Sequence, residues 1–311
     1  MKTKMIIRQA LILTIVSVLS ISSGCKKESK KEDNTDSNSM QQLSKDEVAV
    51  ENATGDVLND ANKILSGASG KSLEGLPCNV TVDSSSIVGD TITYAVTFNG
   101  LNCAGNLLRV GNATIKKNVN THWIDAGATV IVNYINLKVT KVASGKFIIL
   151  NGKKTFENVN GGLLVQLGSG VTSVTHKITG AVQATFEDNT TRTWNITRQR
   201  TFTGTIGQLV VTEDGFGSAD GFNNLIVWGT NRHGEAFYTR ITVSVVYRQT
   251  CGWDPVSGTV IHEIPGDSKS ATITFGYDDS NHLVTGTECP TRYKVDWQKG
   301  THSGTIYLQL P

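Results

Sequence analysis

From residue 91 onward the chain alternates apolar and polar positions with a period of two. Ile92, Tyr94, Val96 and Phe98 alternate with Thr91, Thr93, Ala95 and Thr97, the signature of a half-buried strand. The period returns at Ile131, Ile135, Leu137 and Val139, where Asn133 interrupts the inner face. It recurs at Phe237, Ile241, Val243, Val245 and Tyr247, at Ile273, Phe275 and Tyr277, and at Ile306, Leu308 and Leu310. Asn99-Gly100, Asn151-Gly152, Asn160-Gly161 and Asp214-Gly215 read as hairpin turns between these runs. No long helical period separates them, so strands joined by hairpins should pair antiparallel. Residues 76–311 are therefore predicted to be an all-β body, an antiparallel hairpin-rich meander forming a sandwich or a curled, barrel-like sheet.

Ahead of that body the period changes. Ser44 and Glu47 have capping-box spacing, and Val57, Leu58, Ala61, Ile64 and Leu65 share one helical face that Gly67 ends. The spacing predicts a helical segment over 44–67 whose apolar stripe packs on the first sheet, followed by a loop from Ser66 to Gly75. Residues 25–43 mix charge, Ser and Asn with almost nothing apolar, which predicts a flexible tether.

The first 24 residues have the parts of an export signal: Lys2, Lys4 and Arg8, then an apolar run from Ala10 to Ile21, then small residues before Cys25. A twelve-residue helix is about 18 Å long, too short for a hydrocarbon core of about 30 Å. No A-x-A-like cleavage site follows, and Ser22-Ser23-Gly24-Cys25 resembles the end of a bacterial lipoprotein signal. That resemblance makes residues 1–24 a signal peptide and Cys25 a lipidated first mature residue, although Ser22 stands where an aliphatic residue is usual.

Charge narrows the partners. Three of the 29 basic residues precede Cys25, leaving 26 against 27 acids, a balance that argues against a nucleic-acid partner. With Cys25 assigned to lipid, Cys78, Cys103, Cys251 and Cys289 form an even set, which in an exported chain suggests two disulfides with three connectivities open. These cysteines are isolated, without the CxxC spacing of a zinc site. A faint echo sets Cys78, a strand, Cys103 and Arg109 beside Cys251, a strand, Cys289 and Arg292. Two related halves would make Cys78–Cys103 and Cys251–Cys289 the natural pairs.

The order of Leu76-Pro77-Cys78, the Thr91–Phe98 strand, Asn102-Cys103, Trp194 with Arg198, Gly229-Thr230-Asn231-Arg232, Pro255 through Thr259 and Ile273-Thr274-Phe275-Gly276 is similar to uncharacterised all-β lipoproteins of the Bacteroidota type. The resemblance implies an envelope lipoprotein and brings no catalytic residue with it.

Candidate chemistry is sparse. There is no GxSxG elbow, and Gly168-Ser169-Gly170 reads as a turn. His122, His176, His233, His262, His282 and His302 are scattered without an HExxH pair. The Glu213–Gly221 stretch lacks the spacing that wraps calcium and reads as a solvated loop. A glycosidase needs two convergent carboxylates, which sequence alone does not place. Asp90-Thr91-Ile92 resembles an O-glycosylation acceptor of these bacteria. The most unusual strand, Thr190–Phe202, sets Arg192, Trp194, Ile196, Arg198, Arg200 and Phe202 on one face. Arg192, Trp194, Arg198 and Arg200 are a candidate contact for an anionic glycan, against the plainer reading that the arginines cover aromatic surface and pair with acids.

No catalytic, cofactor or metal site is expected. The expectation is a lipid-anchored outer-membrane protein that binds or scaffolds a glycan or another envelope protein. A glycan- or protein-active hydrolase is the alternative, and a carrier of apolar cargo a further one. Aromatic residues at 7% are too few for the two girdles of an integral barrel.

Overall fold

The computed structural model describes residues 34–67 and 77–310. The signal, Cys25, the first part of the tether and the segment 68–76 lie outside the described residues. One helix, α1 (Asn34–Gly67), precedes fifteen strands. The helix starts upstream of the expected position and takes in residues 34–43 of the stretch read as tether, so Ser44 sits inside it rather than at its cap.

The first seven strands form a meander: β1 (Val80–Val88), β2 (Thr91–Leu101), β3 (Leu107–Asn118), β4 (Ala128–Lys141), β5 (Phe147–Asn158), β6 (Ser173–Phe186) and β7 (Thr191–Thr203). Then come β8 (Val210–Gly215), β9 (Gly217–Ala219) and β10 (Phe222–Thr230). The last five are β11 (Ala236–Arg248), β12 (Pro255–Ile264), β13 (Lys269–Tyr277), β14 (Arg292–Lys299) and β15 (His302–Gln309). All belong to one antiparallel sheet, ordered β1 to β7, then β10 to β15. β8 and β10 share the slot between β7 and β11: β10 pairs with β7 at residues 193–196 and β8 pairs with it at 198–203. The two halves of the chain thus share one sheet, and one apolar core runs from Val80 to Phe275.

That core lies on one face, and α1 lies in it. Val50, Ala53, Val57, Ala61 and Ile64 are buried against the sheet, and Leu58 and Leu65 pack at the margin. α1 reaches side chains on β3, β5, β7 and β11. From β3 to β11 is six strand spacings, about 29 Å on a flat sheet. The helix covers them between Glu47 and Asp60, a rise of about 20 Å. Curl of the sheet and the reach of long side chains make up the difference.

Glycine permits the curl. Gly111 in β3 has φ 135°, and a Cβ there would stand 2.5 Å from the Asn136 carbonyl oxygen. Beside it the β3–β4 register shifts between Val110 and Asn112. Gly258 in β12 has φ 120° and would set a Cβ 2.6 Å from the Ser244 oxygen. Asn99-Gly100 and Asn151-Gly152 are likewise inside β2 and β5, not hairpins. Asp214-Gly215 closes β8, and Asn160-Gly161 lies in the long loop after β5. The dipeptide signal failed because glycine is needed here wherever a neighbouring backbone crowds a bending strand. Tight turns occur instead at Gly89-Asp90, Asp220-Gly221 and Gly300-Thr301.

β4 carries another correction. Val130, Val132 and Tyr134 face inward, with Asn133 and Ile135 outward; after Asn136 (φ 48°) the inward set becomes Leu137 and Val139. A bulge flips the face mid-strand, so the expected inner set holds only beyond it.

Gly258→Ala should cost about 2 kcal/mol or more, since its Cβ meets backbone at a strained φ. Gly105→Ala, at φ 71° with open space around it, should cost about 1 kcal/mol. Urea denaturation midpoints of the two variants check the contrast.

Candidate functional site

α1 is a poor helix by composition. Asn52, Thr54, Gly55, Asp56, Asn59, Asp60 and Asn62 crowd its middle, each costing a few tenths to about 1 kcal/mol relative to Ala. What compensates is the surface it lies on. Acids Asp46, Glu47, Glu51, Asp56 and Asp60 share the sheet-facing side with the apolar stripe, and each meets a cation from the sheet or its turns.

At one end the turn after β10 sends Arg232 to Asp46, Nε and Nη2 donating to its two carboxylate oxygens at 2.8 and 2.7 Å, with the guanidinium over the Phe186 ring. Arg192, fully buried on β7, donates to the Leu43 carbonyl at 3.1 Å and to Glu47 at 3.2 Å, its guanidinium stacked over Phe237. Thr239 on β11 donates to the same Glu47 oxygen at 3.3 Å and lies 2.9 Å from His262 Nδ1.

In the middle Lys154 on β5 donates to Thr54 Oγ1 at 2.7 Å and Glu51 at 3.3 Å, above the Trp194 ring. Arg198 pairs with Glu51 at 3.2 Å and with Glu213 at 3.5 Å, and Arg200 donates to Glu213 at 2.5 Å. At the far end Arg109 on β3 donates to Asp56 at 2.8 Å, to Asp60, and to the Cys78 carbonyl at 3.0 Å. Asn102 adds a bond to Asp56 at 2.9 Å. These six cations thus meet seven acids, five on the helix, with Glu213 on β8 and Asp188, 3.4 Å from Arg232, from the sheet and its turns: without α1 the seam keeps six cations against two acids.

Burial moves the proton affinities of this seam. It would raise the Glu51 carboxyl, but Lys154, Arg198 and Arg200 outweigh it and hold Glu51 below the usual 4.5. For Asp60 burial wins over Arg109, helped by nearby Asp56, and the carboxyl is raised. Burial lowers Lys154 to about 8 despite Glu51. Tyr134, whose hydroxyl is buried without a hydrogen-bond partner, is pushed up by burial and then by Glu51.

The arginine–aromatic face of β7 is thus covered by the chain's own helix. Arg192, Trp194, Arg198 and Arg200 lie under or beside α1, and Trp194 is 1% exposed, leaving no ring face open to a sugar. The plainer reading of that strand fits, with the difference that α1 as well as β8 supplies the acids. Lys154 was not singled out from sequence, and Arg109, Arg232 and Glu47 were named only for the echo, the resemblance and a capping box, so neither these cations nor the helix acids were read as a site. The available signal was the placing of Glu47, Glu51 and Asp60 among the apolar positions of the stripe rather than opposite them.

Elsewhere the candidates disperse. Cys78–Cys103 and Cys251–Cys289 are disulfides, with Cα atoms 5.1 and 5.4 Å apart, as the two-halves echo suggested. Glu213 is spent on arginines, Asp214 accepts from Ser244, and Asp220 accepts from Tyr238. Ser169 lies in a turn, its N–H on the Gln166 carbonyl. His122, His233, His282 and His302 are exposed, and His176 packs between Trp123 and Phe202. Among the described residues no three His, Cys, Asp or Glu side chains group as metal ligands.

Arg192→Met leaves Glu47 buried without its cation and should cost about 3–5 kcal/mol, with Glu47→Gln in the same chain recovering part of it. Arg240→Met, at a half-exposed pair with Glu263, should cost under about 1 kcal/mol; denaturant titrations complete the comparison. Burial, and then Arg200, lowers the His176 imidazole from 6.5 to about 4. The unfolded chain therefore binds more protons between those values, and stability is lost as pH falls from about 6.5 to about 4. His176→Phe should remove about 3 kcal/mol of that loss at pH 4, read from denaturation midpoints across the range.

No family model, no curated protein and no solved structure matches the chain, which leaves its own residues as the guide to its role.

Proposed function

We propose that the protein is a lipid-anchored, non-enzymatic binding or scaffolding module of the cell envelope, with α1 as the coupling between anchor and body. The observation that carries this reading is the seam. The sheet's buried cations are committed to holding the one element that leads back toward Cys25. A pull along the N-terminal segment is met by ion pairs on three strands and the turn after β10 rather than by a single terminal strand. Two disulfides suit an oxidising compartment outside the cytosol.

α1 fills the space an apolar cargo would need, so a carrier would first have to expel its own helix. The outer face and the loops therefore remain as the surfaces for a glycan or an envelope protein.

Cys25→Ser should move the exported chain from the membrane fraction to the soluble periplasmic or extracellular fraction and abolish metabolic labelling with a fatty-acid probe. A variant that still pellets with membranes, or a wild-type chain that takes up no label, would defeat the anchor.

A further inference from the structure

The two ends of the curled sheet differ in chemistry. At one end lie the turn 89–90 and the loops 119–127, 159–172, 204–209, 249–254 and 278–291. Together they contain six acids against Lys117, Arg248 and Arg292 reaching in from the strand ends, and the loops 159–172 and 204–209 carry no charge at all. At the other end Lys146, Glu187, Asp188, Arg232, Glu235 and Asp267 mix both signs.

Exposed aliphatic side chains are more numerous at the uncharged-to-acidic end than at the other, where Leu101, Leu108 and Val142 are exposed. Ile124, Ile206, Val165, Leu283, Ile87 and Val88 sit in or beside five of these six connections and are 41, 45, 55, 61, 63 and 80% exposed. The rim is built rather than loose. Val119 donates to the Asp90 carbonyl, Gly162 to that of Ile124, and Gln249 to that of Leu209, each at 2.8 Å. Thr205 packs on Gly168, and the Cys251–Cys289 disulfide joins the last two loops. A small core of Leu167, Val174 and Leu209, flanked by Trp253, stiffens it from below.

We propose that this rim is a membrane contact in its own right, its aliphatic tips entering the interface of a zwitterionic lipid surface. Isolated aliphatics on separate loops suit lipid better than a protein partner, whose hot spots favour Trp, Tyr and Arg. The loops contain no arginine, and their two tryptophans, Trp123 and Trp253, are half-buried. Headgroup charge follows from the acids: an anionic surface repels them, whereas the ammonium of a phosphatidylethanolamine or phosphatidylcholine headgroup can lie beside them. A single acyl chain binds membranes only marginally, so a second apolar contact adds to any lipid anchor. The contact itself does not depend on acylation.

The test uses the full exported chain carrying Cys25→Ser, so that its failure is distinct from failure of the anchor. Flotation with phosphatidylethanolamine–phosphatidylcholine vesicles should carry the chain upward, and Val165→Asp with Ile206→Asp should weaken binding at least tenfold. Replacing a third of the lipid by phosphatidylglycerol should weaken it as well. In a separate Ile206→Trp variant, brominated acyl chains should quench the added fluorescence. Absence of flotation with every vesicle, binding that rises with phosphatidylglycerol, or an added tryptophan that bromine does not quench would each overturn the proposal. So would unchanged binding of the double aspartate variant once its thermal transition matches that of the parent.

Discussion

The acid-faced helix in its basic trough is the constraint from which the rest of this structure follows. A sheet with Arg109, Lys154 and Arg192 almost wholly buried cannot leave them unpaired, because an uncompensated buried charge costs several kcal/mol. Outside the helix only Glu213, and Asp188 in the β6–β7 turn beside Arg232, bring acids to that seam among the described residues. α1 therefore completes the sheet chemically as well as by filling its concavity. The dependence runs both ways, since α1, rich in Asn, Asp and Gly at its centre, has little reason to be helical elsewhere. Ion pairs of this kind contribute less net stability than an apolar contact of the same size, but they fix register: only one setting of the helix brings Asp46, Glu47, Glu51 and Asp60 to their partners at once.

That requirement explains the irregularities of the strands. Arg109, Lys154, Arg192 and Thr239 converge on one helix only if the intervening sheet bends sharply, and a regular pleat of that width would not. Gly111 and Gly258, with the bulges beside them, are where the bend is taken. The bulge at Ile135-Asn136 does similar work, turning Tyr134 and Leu137 to the same face although plain alternation would put residues three positions apart on opposite faces. The first disulfide reinforces the arrangement, because the Cys78 carbonyl is itself a partner of Arg109.

This division sets what the sequence could and could not disclose. Strand identity was legible, since β2, β7, β11, β13 and β15 each contain the period-two run read from their residues. So was the antiparallel class, and so were two disulfides, whose pairing the faint echo between halves suggested while three connectivities stayed open. Asn-Gly pairs misled because the same glycine that permits a hairpin permits a bulge, and local sequence does not say whether a neighbouring backbone is close. Face assignments failed at β4 for the same reason. The seam was hidden more deeply: arginines on a strand and acids on a helix more than 140 residues away become a site only after folding. Arg192 and Trp194 looked available because a strand shows its face, not what lies on it.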